Sequence, residues 1–227
     1  MKIKNLLNLF RFSFRYRNIS FSQEGEDILL KRIFSNKKNG FYIDVGAHHP
    51  VRFSNTYLLS KNGWRGINID AMPGSMTLFN KKRPNDINIE CPISDKKEEL
   101  VYYIFNEPAL NTFSKDEALK KDGLHGYKII SKKIMFTRTL TELLLENLNK
   151  NQKIDFITID VEGFDLKVLK SIDLKIFQPE IILIEDLSKS IDLEAFFEKS
   201  EINKYLKKFN YTFFIKTYNT MFFKKKI

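Results

Sequence analysis

The chain has 227 residues, 43% of them hydrophobic with 21 Phe among them, and a formal net charge of +10. This length and apolar content suit one folded domain with a substantial core and exclude intrinsic disorder, and no apolar run reaches the roughly 18–20 residues of a membrane span. The single Cys91 can form no internal disulfide and has no zinc-ligand companions at the usual spacing, so a reducing cytoplasm is expected.

Residues 1–20 alternate Leu6, Leu7, Leu9, Phe10, Phe12 and Phe14 with Arg and Lys, a basic amphipathic extension ahead of a domain over residues 21–227. The charges are too closely interspersed for a signal peptide. Such a segment packs on the domain, meets a second subunit of a homodimer, or makes peripheral contact with the inner face of a membrane. Ser22 is the predicted N-cap of a helix reaching Phe34. Phe41–Val45 is a predicted strand, followed by a helix over Ser54–Lys61 with Asn62-Gly63 as its C-cap. A second strand is expected over Gly66–Asp70, a short helix from Pro73-Gly74, and a third strand over Ile87–Glu90.

Glu99–Phe105 and Lys128–Thr137 read as strands, and the polar Pro108–Tyr127 between them as a mobile loop over the site. Helical spacing of leucines marks Thr139–Leu148. Ile154–Asp160 is another strand ending in an acid, Asp165–Ser171 a short helix, and Ile181–Ile184 an apolar strand running into Glu185-Asp186. A helix over Leu193–Phe209 and an aromatic hairpin over Tyr211–Phe223 complete the chain. The pattern predicts an α/β fold, Rossmann-like, with a mostly parallel sheet closed by an antiparallel hairpin.

The chemistry lies where strands end in acids. Asp44 precedes the turn Gly46-Ala47-His48-His49-Pro50, and Asp70 ends the next strand roughly 25 residues on, the spacing at which a second acid holds ribose hydroxyls. The first turn lacks the G-x-G-x-x-G glycines that let a pyrophosphate approach the backbone. That disfavours a dehydrogenase and favours a nucleoside without pyrophosphate, of which S-adenosylmethionine is the commonest.

Six runs in order resemble the FkbM family of S-adenosylmethionine-dependent methyltransferases over about Ser20 to Asp186. They are Ser22-Gln23-Glu24-Gly25-Glu26-Asp27, Asp44–Pro50, Ser54-Asn55-Thr56, Gly63-Trp64-Arg65-Gly66 with Asp70, Ile93-Ser94-Asp95, and Ile159-Asp160-Val161-Glu162-Gly163-Phe164-Asp165. The resemblance implies a class I methyltransferase fold and O-methylation, commonly of sugars, glycolipids or polyketide-type products. It places Asp44, Gly46 and Ala47 beside the methionine part of the cofactor, Asp70 on the ribose and Ser94 near the adenine, with Gln23 and Asn55 closing the pocket. For Ser94 and Asn55, turn formation and helix capping are equally good readings.

Methyl transfer to a hydroxyl needs in-line approach and removal of the acceptor proton, by a carboxylate or with the help of a metal. Asp160, Glu185 and Asp186 end neighbouring strands and form a candidate Mg²⁺ or Mn²⁺ site, with Glu162 as the candidate general base. Without metal, Asp160 or Glu162 acts directly. His48 and His49 either orient substrate and take a proton or serve the loop's structure. The leading expectation is a cytoplasmic sugar O-methyltransferase with a nucleotide-activated sugar or surface-glycan precursor as substrate. An RNA or protein methyltransferase is the alternative, although no Asn/Asp-Pro-Pro-aromatic amine clamp occurs and nucleic acid is not expected as partner. A non-catalytic nucleoside-binding scaffold is a third reading, against which the convergent carboxylates argue.

Overall fold

A computed structural model describes residues 17–187 and 198–226. The elements in chain order are α1 (Glu26–Ile33), β1 (Phe41–Val45), α2 (Tyr57–Lys61), β2 (Arg65–Asp70), α3 (Met76–Lys82) and β3 (Ile87–Glu90). Next come β4 (Glu99–Phe105), α4 (Lys115–Lys121), β5 (Ile129–Phe136), α5 (Leu140–Asn147), β6 (Phe156–Ile159) and α6 (Asp165–Lys170). The remainder is β7 (Ile181–Glu185), α7 (Glu201–Lys207), β8 (Tyr211–Lys216) and β9 (Thr220–Lys225). Part of the helix expected over Leu193–Phe209, and most of the N-terminal extension, lie outside the described residues. Among the described residues no helix is long and apolar enough to cross a membrane.

Seven strands form one sheet in the order β3-β2-β1-β6-β7-β9-β8. The five from β3 to β7 run parallel, β9 is antiparallel to β7, and β8 is antiparallel to β9. Strands β4 and β5 pair separately as an antiparallel ribbon. The parallel strands are apolar on both faces because helices cover both. Ile43, Ile67, Ile157 and Ile182 pack with α5 and α6 through Leu140, Leu144 and Val168. Tyr42, Phe156, Leu183 and Phe222 pack on the opposite face with Leu30, Phe34 and Trp64.

Two expected helices begin later than the sequence suggests. Gly25, at φ 87°, occupies the cap position of α1, while the Ser22 hydroxyl, from further upstream, accepts the first-turn Asp27 N–H at 3.3 Å and donates to Asp27 Oδ1 at 3.0 Å. The Ser54 hydroxyl accepts the Tyr57 N–H at 3.1 Å, so Ser54–Thr56 forms a turn ahead of α2. The segment Pro108–Tyr127, expected as loop, contains α4, capped by Ser114 accepting from the Glu117 N–H.

On the face covered by α1 and α2, a buried polar network ties β1 to the segment after α3. Arg83 Nε donates to Asp86 Oδ2 at 2.8 Å and Nη1 to Thr56 Oγ1 at 2.9 Å, while Thr56 Oγ1 donates to Asp44 Oδ2 at 2.6 Å. Tyr42 donates to Asp86 and receives Arg83 Nη2. Gly66 leaves room for the Tyr42 ring, which a Cβ there would meet at 2.2 Å. Removing one member of a buried ion pair strands the other. Arg83→Met is therefore expected to cost about 3–5 kcal/mol in urea denaturation; a loss below about 1 kcal/mol would show that Asp44 and Asp86 need no guanidinium.

Candidate active site

The carboxyl ends of β1, β2 and β6 open onto a cleft. At the end of β1 the backbone turns at Gly46, with φ at 81°, and the Gly46 and Ala47 N–H groups donate to the Ile69 carbonyl at 2.9 and 3.0 Å. A Cβ on Gly46 would lie 1.8 Å from the Asp160 carbonyl oxygen. Only glycine permits both this dihedral and this approach, which brings the β1 and β6 loops together at the cleft floor.

Asp70 ends β2 at the cleft wall. Its Oδ2 accepts the His48 N–H at 2.8 Å and its Oδ1 the Met72 N–H at 2.7 Å, which fixes the carboxylate with acceptor capacity to spare. Burial raises its pKa and the two N–H donors oppose that rise. Ile69, Ala71, Cys91, Ile93, Tyr102 and Phe164 supply apolar surface along the same cleft. Burial pushes the Cys91 thiol up to about 11, so it is an unreactive part of this wall.

The loop after β6 carries the acids. Asp165 accepts the Val161 and Gly163 N–H groups, each at 3.0 Å, holding the loop in a tight curve in which Glu162 has φ 56° and Gly163 φ 85°. Burial lifts Asp165 to about 7, against the pull of those donors. Thr112 Oγ1 donates to the Glu162 carbonyl at 2.8 Å, and Lys121 from α4 pairs with the Glu162 carboxylate. The segment between β4 and β5 thus packs on the acidic loop and roofs the cleft with Pro108, Asn111, Thr112 and Phe113. Arg52 grips Glu107 through two hydrogen bonds of 3.0 and 2.9 Å, joining this roof to the loop after β1.

Carboxylate oxygens of Asp160, Glu162 and Glu185 lie within 4.8 Å of one another. Glu185 is 8% exposed, and its Oε2 is buried without a partner among the described residues. Desolvation, then repulsion from Asp160 and Glu162, pushes Glu185 up to about 11. Asp160 is raised well above the usual carboxylate range for the same reasons, desolvation first and Glu162 second. Such a cluster takes up positive charge, as a proton or as a cation.

The structure brings together Gly46, Asp70, His48, Asp160 and Glu162 of the residues expected from sequence. Glu185 joins at the far side of Asp160, whereas Asp186 is outside the acidic cluster, its backbone N–H bound to the Asn219 carbonyl at 3.0 Å. Asp44 belongs to the Arg83 network and does not line the cleft. Burial, more than offsetting Thr56 and Arg83, holds it at about 6. Ala47 packs on Met76 and Phe79. The Ser94 hydroxyl donates to Asp95 and Glu98, leaving its neighbour Ile93 at the cleft. Gln23 and Asn55 line a second cavity next to the cleft. His49 Nδ1 accepts the Val51 and Arg52 N–H groups at 3.0 and 2.9 Å, closing its own loop. Sequence reasoning passed over Tyr102, Asn111, Thr112, Phe113 and Lys121, since only the folding of the ribbon over the sheet brings them to the cleft or to Glu162. For all but Tyr102, which lies in β4, the prior signal was a place in the segment expected to cover the site.

Acid-ended parallel strands in this order, closed by a reversed penultimate strand, define the class I methyltransferase fold. Residues 44–213 match the Methyltransferase FkbM domain, and the chain belongs to that family. Methyltransferase FkbM from Methylobacillus flagellatus KT shares the fold with a TM-score of 0.51 and 12% identity, over 82% of this chain and 44% of that one. The chain therefore spans less than half the length of that relative. A TehB-like SAM-dependent methyltransferase from Corynebacterium glutamicum gives a TM-score of 0.44 and 12% identity over 98% of this chain and 97% of that one. No curated protein matches the sequence.

His48 offers a pH test of this geometry. Its Nε2 is buried without a partner, and desolvation, with Arg52 nearby, lowers its pKa to about 4. The neutral ring is favoured on folding, so its contribution is full above the ordinary pKa near 6.5 and is lost as pH falls towards 4. Wild type should lose about 1–2 kcal/mol more than His48→Gln across that interval, after screening of the partly exposed ring. Parallel curves from denaturation at a series of pH values would show that the ring is solvated.

Proposed function

We propose that the protein is an S-adenosylmethionine-dependent O-methyltransferase acting on a sugar hydroxyl, in a nucleotide-activated sugar or a surface-glycan precursor. The observation that carries the reading is a cleft that combines a fixed carboxylate at Asp70, an apolar wall and the acidic pair Asp160 and Glu162. S-adenosylmethionine carries the groups that complement these. Its ribose diol suits the remaining acceptors of Asp70, its adenine the wall of Ile93, Tyr102 and Phe164, and its sulfonium and ammonium charges the acidic end. The turn at Gly46 closes against the Asp160 backbone and provides no pyrophosphate loop.

When bound, the cofactor supplies an electrophilic methyl group. The chain supplies position and proton removal. Glu162, held by Lys121 and the Asp165-braced loop, is the general base of this reading, with Asp160 beside it at the floor. His48, neutral near pH 7 and lining the same cleft, orients the acceptor in this reading. Asp160, Glu162 and Glu185 also suit Mg²⁺ or Mn²⁺, because the buried Glu185 Oε2 has no other partner and oxygen donors match such ions. A cation there would lower the cost of deprotonating the hydroxyl. A place on the cytoplasmic side, where activated sugars are made, completes the reading.

Calorimetry should show binding of S-adenosylmethionine, with nicotinamide dinucleotides binding much more weakly. Asp70→Ala should lose the ribose contacts, roughly 1.5–3 kcal/mol for each charged hydrogen bond removed. Labelled methyl should appear in carbohydrate, and its appearance in RNA or protein lysine alone would refute the substrate class. EDTA should lower turnover and leave cofactor affinity intact, with Mn²⁺ binding seen directly by electron paramagnetic resonance. Undiminished turnover in EDTA, combined with an inactive Glu162→Gln, would assign proton removal to the carboxylates alone.

A further inference from the structure

Strand β5 is open to solvent along most of its length. Six of its eight residues are exposed, with Ile134 at 68% and Phe136 at 62%. It pairs with β4 on one side, and its other edge has no partner among the described residues. The backbone groups on that edge follow from β4. Tyr103 exchanges both of its backbone hydrogen bonds with Thr112, at 2.8 and 3.2 Å, so its N–H and C=O point away from β5. Lys132 stands opposite Tyr103 and therefore turns its own N–H and C=O away from β4. By the alternation of an antiparallel ladder, Ile134 and Phe136 do the same.

The side chains beside this edge are apolar. Residues opposed across the ladder share a face, so Val101 and Ile134 lie together, with Glu99 and Phe136 next to them. Tyr102, on the other face, lines the cleft. A bare edge flanked by exposed apolar side chains is a template for an added strand, and proteins otherwise cover it or charge it. A lipid surface does not suit it. Burying Ile134 and Phe136 in hydrocarbon would strip water from the N–H and C=O groups beside them, with nothing to replace it. An added strand satisfies both at once.

We infer that β5 pairs antiparallel with β5 of a second copy of this chain about a twofold axis at Ile134. The two ribbons then form one four-stranded sheet in the order β4-β5-β5-β4. Charge selects this register. An axis at Lys132 or Lys133 sets a lysine against its own copy, and one at Met135 sets Lys132 against Arg138. Towards the start of β5 the ladder with β4 shifts register between Ile104 and Phe105, which interrupts regular pairing. At Ile134 no cation opposes another. Ile134 meets its own copy, Phe136 meets the partner's Lys132, and Met135 meets the partner's Lys133. The lysine stems lie along these apolar partners with their ammonium groups in water. All the outward N–H and C=O groups of Lys132, Ile134 and Phe136 are then paired, in about six hydrogen bonds. The two lysines thus oppose the wrong registers and permit one. The segment between β4 and β5 carries the roof of the cleft, so such pairing ties the roofs of two sites to one sheet.

Sedimentation equilibrium on the full chain, from about 1 to 200 μM, tests the pairing. An edge this short makes a small interface, and a dissociation constant in the micromolar range is expected. Ile134→Glu and Ile134→Lys each set like charges face to face at the axis, on a side chain exposed enough that folding is not at stake. Each variant alone should be monomeric, with dimerisation weakened at least about a hundredfold. An equimolar mixture of the two should dimerise again to within about tenfold of wild type, because residue 134 then meets the opposite charge. Leu145→Glu, a comparably exposed change on α5, should leave the dimer intact. Wild type that stays monomeric throughout this range overturns the inference. So does a dimer that survives in either single variant at Ile134, or one that is lost equally in Leu145→Glu. A mixture that remains monomeric overturns the axis at Ile134 and the inference with it.

Discussion

Asp160 and Glu185 follow neighbouring parallel strands, and a parallel sheet fixes such neighbours about 4.8 Å apart. The carboxylates cannot separate without breaking the β6–β7 ladder, and Glu162 adds a third acid to the same space. Much of the surrounding structure compensates for this crowding. Asp165 spends its oxygens on the backbone of the loop carrying Glu162, and Lys121 reaches from another element to pair with it. Glu185 keeps an oxygen with no partner. A protein that needed only stability could place apolar residues here at less cost. The arrangement makes sense as a site that waits for positive charge.

The sheet separates two kinds of work. Towards α5 and α6 it is continuous aliphatic packing, which supplies rigidity. Towards α1 and α2 it carries both an aromatic core and the buried Arg83 network, which anchors the segments leading to the site. The β4–β5 ribbon and the segment joining its strands lie outside that sheet and form the roof of the cleft. Thr112 and Lys121 connect this roof to the loop after β6, and Arg52 with Glu107 connects it to the first loop. Floor and roof of the cleft are therefore coupled through a few polar contacts.

The parallel strands were legible because apolar runs that end in an acid are distinctive, and the order of motifs pointed to the family. The strand ends misled at one position. Asp44 is paired with Asn68 and Thr158, two residues deeper than Asp70 and Asp160. At the rise of a strand that is about 6–7 Å below the rim, where a side chain meets the neighbouring helices before it meets a ligand. Sequence shows that an acid lies near a strand end; register decides whether it emerges. The same limit applied to Asp186, which is one residue past Glu185 and so projects elsewhere. Glu162 was identified by its motif, but its partners Thr112 and Lys121 come from a segment with no periodic pattern, and contacts of that kind are set by tertiary packing alone. Ser22 and Ser54 are good caps by composition, and their hydroxyls do accept first-turn N–H groups, but from turns that place the helix starts two to four residues further on.

A crystal structure with S-adenosylhomocysteine would test the central claim most directly. The account predicts the ribose on Asp70, the adenine between Ile93 and Phe164, and the sulfur directed at Asp160. A cleft that takes up a dinucleotide and excludes S-adenosylhomocysteine would contradict it.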